Sequence, residues 1–314
     1  MRFKFPVFAV SICVLVCATA AQAPTPFTLH DLVNGAWAVI DNPAAKAARS
    51  GANAGFVIGS DGVAVVDTFE NTGAAQALLD EIRKKTNLPI RFVVNTHYHL
   101  DHVAGNSIFA NAGATILAQE NVRSWERTEN AKFFGLKITV QQKEQVESLG
   151  LPSITYKDGV TLYLDRRALV VRSLPGHTGG DSVVYDPTAN VVFCGDLFWD
   201  RTLPNLIDAS TKPWIETLDK LIADYPTATF VPGHGEAGHV QDVRDFRGYL
   251  MDLRDFIQKA QTDGKSGDAL VDGVLAQLQQ KYASWGFFAF AKSDIKYTDA
   301  ELRGEKRIPE PAVQ

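Results

Sequence analysis

The sequence predicts an α/β protein in which two β-sheets lie face to face between outer helices, a four-layer αββα sandwich. Two successive halves of the chain each contain several short apolar strand patterns. Each half also carries helical patterns with a single apolar stripe, which suits packing on one face of a sheet. The composition agrees, because 46% hydrophobic and 21% charged residues are typical of a globular protein.

The elements follow from hydrophobic periodicity and turn signals. Strands are predicted at 36–40, 55–58, 63–67, 90–95, 160–164, 168–173, 182–186, 190–194 and 228–232. Helices are predicted at 72–86, 213–224 and 241–260. Three other segments are also interpreted. Residues 43–54 are predicted to form a flap or a surface loop, and residues 119–146 a helical lid or a surface helix. Residues 285–290 are predicted to lie at an edge of the core.

The first 23 residues have the features of a cleavable export signal. Arg2 and Lys4 precede the apolar run Val7–Val16, and Ala21–Ala23 supplies the cleavage pattern. The run is short for a membrane anchor of about 20 residues. We therefore expect a periplasmic or secreted protein, cut near residue 23, in which 24–314 form one domain with a C-terminal helical extension and no stable membrane association.

The charge and the cysteine content argue against some partners and exclude one kind of covalent link. A net charge of −5 argues against nucleic acid as a partner, because nucleic acid selects basic surfaces. Only Cys194 would remain after cleavage, which excludes an internal disulfide. A small-molecule substrate is the expected partner.

A cluster of potential metal ligands directly follows the strand predicted at 90–95. His97 and His99 alternate beyond the strand end and can face the same way. Asp101 and His102 come as the chain turns and can face a second cation. Imidazole and carboxylate without thiolate favour zinc, with iron or manganese as alternatives.

Three further motifs each place one potential ligand where a strand gives way to a loop. Pro175-Gly176-His177-Thr178-Gly179-Gly180-Asp181 contains the first, Gly195-Asp196 the second, and Pro232-Gly233-His234-Gly235 the third. Each of these three motifs is weak evidence alone. Together with the cluster at 97–102, and in this order along the chain, they predict a metal site.

The ordered motifs resemble those of the metallo-β-lactamase superfamily across residues 55–236. The resemblance implies an αββα sandwich with two metal ions in a groove at its edge. The implied ligands are His97, His99 and His177 for the first metal, Asp101, His102 and His234 for the second, and Asp196 for both. Asp67, which ends the strand at 63–67, matches a family aspartate that orients a ligand from behind.

The resemblance implies an exported dinuclear zinc hydrolase. In such an enzyme a hydroxide held between the metals attacks a carbonyl of a small cyclic amide or ester, so no serine or cysteine nucleophile is needed. Asp101 would both bind metal and orient the hydroxide. This chain has Asp196 where the best-known β-lactamases have cysteine, and it has His102, so its ligand set is closer to the glyoxalase II and lactonase branches.

The sequence is compatible with more than one substrate class. A β-lactam or a lactone is the first expectation, and a thioester of the glyoxalase II type is the second. A mononuclear iron dioxygenase acting on sulfur is the alternative from another class, whereas a nuclease or a non-catalytic binding protein is weaker. Whether Cys194 takes part in the site is also open, although a small apolar filler is the favoured interpretation.

Overall fold

The computed structural model describes residues 24–310 together with Met1, so the predicted export signal lies outside the described residues. Twelve strands form within this part of the chain. They are β1 (Phe27–Asp31), β2 (Ala36–Asp41), β3 (Ala54–Ile58), β4 (Val63–Val66), β5 (Ile90–Val94), β6 (Thr115–Gln119), β7 (Ile154–Tyr156), β8 (Gly159–Leu164), β9 (Arg167–Ser173), β10 (Ser182–Asp186), β11 (Val191–Trp199) and β12 (Thr229–His234).

Nine α-helices accompany the strands over the same described residues. They are α1 (Thr72–Lys85), α2 (Leu100–Val103), α3 (Asn106–Asn111), α4 (Glu120–Phe133), α5 (Val140–Glu147), α6 (Thr211–Asp224), α7 (Val240–Thr262), α8 (Gly267–Tyr282) and α9 (Ala291–Leu302). Short 3₁₀ turns lie at Pro43–Ala48, Gly135–Lys137 and Phe288–Phe290. None of these described helices has the length and apolarity to cross a bilayer.

The strands form two sheets that confirm the predicted sandwich. One sheet has the order β1-β2-β3-β4-β5-β6-β7 and the other β12-β11-β10-β9-β8. Strands β4 to β7 run parallel, as do β11 and β12, whereas the remaining pairs are antiparallel. Parallel neighbours end at the same edge, so the loops after β4 and β5, and after β11 and β12, are brought together.

Three apolar layers hold the four structural layers together. Alternate residues of both sheets meet between them, including Val94 and Val184. The outer face of the first sheet packs on α1 through residues such as Leu78. The outer face of the second sheet packs on α6 to α9, where α7 buries Phe246, Leu250 and other residues of its predicted stripe. The apolar stripes therefore decide which face of each helix is buried.

The segment predicted as a flap or a surface loop divides into a mostly exposed 3₁₀ turn, Pro43–Ala48, and a buried stretch that is neither. Residues 50–54 are buried, and Asp41 fixes their backbone by accepting hydrogen bonds from the Ser50 hydroxyl at 2.8 Å and the Gly51 N–H at 3.0 Å. Asn53 donates to the Pro232 carbonyl at 3.0 Å, which ties this segment to the end of β12. Small residues permit this close packing. From the sequence alone, the same abundance of small residues predicts a mobile loop.

Candidate metal centre

The predicted ligands come from the ends of four strands. His97 and His99 follow β5, and α2 begins immediately afterwards with Asp101 and His102 in its first turn. His177 lies in the loop between β9 and β10. Asp196 lies within β11, which continues to Trp199 instead of ending at 194, and His234 ends β12. The sandwich thus brings these side chains together at one of its edges.

Two groups of side chains could each hold a metal ion. One consists of His97, His99, His177 and Asp196, and the other of Asp101, His102 and His234. Within each group the potential ligand atoms all lie within 4.8 Å of one another. The structure therefore brings together every residue that the sequence predicted as a ligand, in the two predicted sets.

Asp196 lies between the two groups. Its Oδ2 atom is 3.1 Å from His177 Nε2 and 3.7 Å from His97 Nε2, on the side of the first group. Its Oδ1 atom is 3.1 Å from His102 Nε2 and 3.5 Å from His234 Nε2, on the side of the second. A carboxylate with one oxygen facing each set is suited to bridging two cations.

The donor atoms at this centre fit a metal better than a hydrogen-bond network. Buried atoms His97 Nε2, His102 Nε2, His234 Nε2 and Asp196 Oδ1 have no hydrogen-bond partner among the described residues. Buried polar atoms are normally paired, because an unpaired one costs about 1–3 kcal/mol. A divalent cation in each ligand group would satisfy all four.

The electrostatics of the centre favour neutral imidazoles at His97 and His177. Burial lowers the pKa of His97 well below its usual value, and it lowers that of His177 as well. At His102 and His234 burial is outweighed by the carboxylates of Asp196 and Asp101, which raise the pKa of His102 well above its usual value and that of His234 to about 9, so a metal would displace protons there. Burial opposes ionisation of Asp196, but the four surrounding histidines hold its pKa well below the usual range. In the same way His102 and His234 outweigh burial and lower the pKa of Asp101 to about 2. Free imidazole lone pairs and carboxylates are the forms that bind metal.

Asp67 supports the ligand loop from behind, as the resemblance implied. Its carboxylate accepts hydrogen bonds from the Thr96 N–H at 2.8 Å and the Thr96 hydroxyl at 2.7 Å. It also lies 2.9 Å from Nδ1 of His102, which can donate to it, and this orients the ring with Nε2 toward the second ligand group. The residue adopts a left-handed backbone, with φ of 60°, which turns the chain sharply after β4.

A second supporting carboxylate, Asp208, was missed at the sequence level. Its Oδ2 atom lies 3.3 Å from His99 Nε2 and accepts a hydrogen bond from the Tyr98 hydroxyl. The other nitrogen of His99, Nδ1, is 2.9 Å from His177 Nε2, inside the first ligand group. Asp208 therefore fixes the orientation of His99 from a loop far along the chain, which no local pattern indicates.

Replacing Asp208 by asparagine is expected to lower metal affinity and turnover by roughly 10- to 100-fold, because His99 loses the carboxylate that orients it. The measurement is zinc affinity by competition with a chromophoric chelator, alongside kcat/KM. Tyr98→Phe is the matched comparison, since it removes one hydrogen bond to Asp208 and leaves the carboxylate beside His99. Equal effects of the two variants would argue against this role.

A cavity of about 310 Å³ opens over the centre. Its polar floor includes His99, Asp101, Asp196 and His234, and Asn205 lies at its wall. Its apolar walls come from separate parts of the chain, namely Leu100, Phe133, Phe134, Trp199, Phe287 and Phe290. The cavity is large enough for a small molecule and is concave and mainly apolar, as ligand sites usually are.

The residues that follow Asp196 and those of 285–290 differ in how they relate to the cavity. Trp199 lines it and stacks on His234 with ring centroids 4.1 Å apart, whereas Phe198 is buried in the core and Arg201 does not line the cavity. The segment 285–290 packs partly on the core, but Phe287 and Phe290 also line the cavity. An interpretation of that segment as core alone was incomplete.

Cys194 belongs to the core, as the favoured interpretation had it. The side chain is 1% exposed and packs with the apolar residues beneath α6 and α7. Burial raises the pKa of its thiol, which disfavours the thiolate that binds metal. It lies in neither ligand group.

Comparison with known proteins identifies the family. The model of the metallo-β-lactamase superfamily matches residues 48–234. The chain belongs to the metallo-β-lactamase superfamily, and with its cluster of histidine and aspartate side chains it is a metal-dependent hydrolase.

Relatives within the superfamily differ in the activities for which they are named. The chain is 30% identical over 200 residues to metallo-beta-lactamase IND-1 of Chryseobacterium indologenes, covering 60% of this chain and 75% of the relative. It is 28% identical over 148 residues to hydroxyacylglutathione hydrolase of Brucella anthropi, covering 47% and 48%. A solved metallo-beta-lactamase from Pontibacter korlensis shares the fold, with a TM-score of 0.58, 22% identity, and coverage of 72% of this chain and 99% of that one.

Proposed function

We propose that the protein is an exported hydrolase that holds two zinc ions and cleaves an ester or amide bond in a small, preferably cyclic, molecule. The observation that carries this proposal is Asp196, whose two carboxylate oxygens face two separate sets of ligands. The first zinc would be held by His97, His99 and His177, the second by Asp101, His102 and His234, with Asp196 shared. Export rests on the signal predicted in the first 23 residues.

The reaction adds water across the acyl bond and yields a carboxylic acid and an alcohol or amine. Bound zinc would supply Lewis acidity, lowering the pKa of water toward about 7 and polarising the substrate carbonyl. In this proposal the scissile carbonyl lies in the cavity beside the ligand cluster, where the apolar walls limit access of bulk water.

Two side chains of the cavity can act directly on the substrate. Asp101 is ionised, as its low pKa requires, and its side chain is 31% exposed, so it can accept a proton from the attacking water and pass it to the leaving atom. Asn205 accepts a hydrogen bond from the Ile207 N–H at 3.1 Å, which leaves its NH₂ group as a donor for the carbonyl oxygen.

The thioester alternative has weaker support. In the sequence it is supported by the ligand set with Asp196 and His102. Among known proteins it is supported by the Brucella relative, of whose length the chain covers about half. The mononuclear iron alternative needs only the first ligand group, yet Asp101, His102 and His234 are equally well assembled. The cyclic ester or amide hydrolase therefore remains the proposal.

The test is hydrolysis by the zinc-loaded full chain of a simple lactone, a chromogenic cephalosporin and a glutathione thioester. We expect turnover of at least one of the first two, loss of that turnover on chelation, and recovery when zinc is restored. Preferential hydrolysis of the thioester would instead favour a thioester hydrolase of the glyoxalase II type. Absence of turnover on all three in zinc-loaded protein would contradict it.

A further inference from the structure

The cavity over the metal centre has an unusually aromatic entrance. Phe133 and Phe134 come from the end of α4, and their ring centroids lie 6.0 Å apart. Phe287 and Phe290 come from the segment between α8 and α9, with centroids 5.9 Å apart. Phe133 is 61% exposed, although large exposed apolar side chains are uncommon unless they contact something. Two elements far apart in sequence thus supply one apolar wall.

Phe287 is held in this wall by a strained backbone. Its φ of 52° and ψ of 29° are left-handed, a conformation that is unfavourable for a residue other than glycine. The preceding Gly286 is fixed to the neighbouring loop, since its N–H donates to the Arg201 carbonyl at 2.8 Å and its carbonyl accepts from the Leu203 N–H at 3.0 Å. The ring lies 5.7 Å from that of His234. Strain at a site is a reason to look for function there.

Apart from the metal ions of the proposed function, the described residues around the cavity offer no free cationic side chain to an anionic substrate. Arg49 is the one lysine or arginine among the described lining residues. Its Nε lies 3.4 Å from an Asp41 oxygen, and another guanidinium nitrogen donates to the Gly51 carbonyl at 3.1 Å. Its charge is therefore already neutralised within the protein.

Glu70 places a negative charge in the same cavity. It is partly buried, and within residues 24–310 no side chain donates a hydrogen bond to its carboxylate or forms an ion pair with it. Burial raises the pKa of the Glu70 carboxyl, Arg49 opposes this, and Asp101 and Asp41 add to it. The environment of Glu70 thus already disfavours negative charge, and a substrate carboxylate would add to the repulsion.

We propose that this cavity selects uncharged esters or lactones that carry an apolar group, and that Glu70 and Phe287 set this selectivity. The inference rests on the proposed hydrolase function and narrows its substrate class. Penicillin-type and cephalosporin-type β-lactams carry a ring carboxylate next to the scissile amide, so they are disfavoured. Phe133, Phe134 and Phe290 complete the surface on which the apolar group packs.

The first experiment compares two esters of nearly equal size in the zinc-loaded enzyme, p-nitrophenyl butanoate and the p-nitrophenyl monoester of succinic acid. We expect kcat/KM to be roughly tenfold higher for the butanoate, because the added carboxylate is repelled by Glu70 and finds no free cationic side chain to offset this. Glu70→Gln is expected to narrow this ratio severalfold, whereas the exposed Glu144→Gln, with the same change of net charge, leaves it unaltered. An equal or reversed preference in the wild type, or an unchanged ratio in Glu70→Gln, would overturn the proposal.

A second experiment tests the apolar wall. Phe287→Ala is expected to lower kcat/KM for p-nitrophenyl butanoate several times more than for the shorter acetate, since only the longer acyl chain reaches the ring. Phe133→Ala should act in the same direction. Equal losses on both esters would indicate that Phe287 supports the fold near His234 and does not contact substrate.

Binding separates this proposal from the hydrolase function on which it rests. Trp199 lines the cavity, so its fluorescence reports binding of unreactive analogues, N-phenylbutanamide and the anionic N-phenylsuccinamate. Roughly tenfold tighter binding of the neutral amide, without turnover of any ester, would support the selectivity and contradict the hydrolase. Turnover of esters together with equal binding of the two amides would support the hydrolase and overturn the selectivity.

Discussion

Asp196→Asn is expected to reduce hydrolysis by roughly a thousandfold or more and to lower the metal content below two ions per chain. Asparagine keeps the shape of the side chain but supplies one oxygen and one NH₂ group where two carboxylate oxygens stood. That NH₂ group would face either the pair His102 and His234 or the pair His97 and His177. The lost anion also leaves the cations less well neutralised.

The measurement combines metal analysis with kcat/KM, and circular dichroism checks that the variant folds. Asp224→Asn is the matched control, because Asp224 lies at the surface end of α6 and pairs with Lys220 and Arg172. We expect this control to retain wild-type activity and metal content. Two tightly held ions with near-normal activity in Asp196→Asn would show that the aspartate does not bridge.

The second large effect is expected from Asp67→Asn, although Asp67 belongs to neither ligand group. An asparagine can still accept from the Thr96 N–H, but its NH₂ group then lies against Nδ1–H of His102, where two donors oppose each other. His102 would lose the orientation that directs Nε2 to the second metal. Metal affinity and activity should fall by roughly 10- to 100-fold.

A loss of stability should accompany this loss of affinity. The Thr96 hydroxyl and His102 are both fully buried partners of Asp67, and unpaired buried polar groups cost about 1–3 kcal/mol. Urea denaturation of metal-free protein measures the stability, and chelator competition measures the affinity. Asp80→Asn, on the exposed face of α1, is the control. Stability loss with unaltered zinc affinity would limit Asp67 to a structural role.

The fold was largely predictable because local patterns dominate it. Alternating or continuous apolar runs marked strands such as β5, and the stripe of α7 followed a helical period from Val243 to Ala260. Three strands were missed. β1 is an edge strand with mostly exposed residues, and β6 and β7 lie beside a segment dominated by helical and charged residues. Strand order across the two sheets comes from tertiary pairing and is absent from any local pattern.

The ligands were predictable for a different reason. His97, His99, Asp101 and His102 are adjacent in sequence, and the other three ligands each follow a strand with a glycine beside them. Asp208, Asn205 and Phe287 carry no such signal, since each reaches the site through a loop whose path depends on packing elsewhere. Residues that touch the substrate are the least predictable because they lie on loops.

The measurement that most directly tests the dinuclear hydrolase is the metal content per chain, determined by elemental mass spectrometry on zinc-supplied protein together with His234→Ala. We expect about two zinc ions in the wild type and about one in the variant, with hydrolysis lost in the variant, because His234 belongs only to the second ligand group. A single iron ion in both proteins, without hydrolysis in the wild type, would contradict the account.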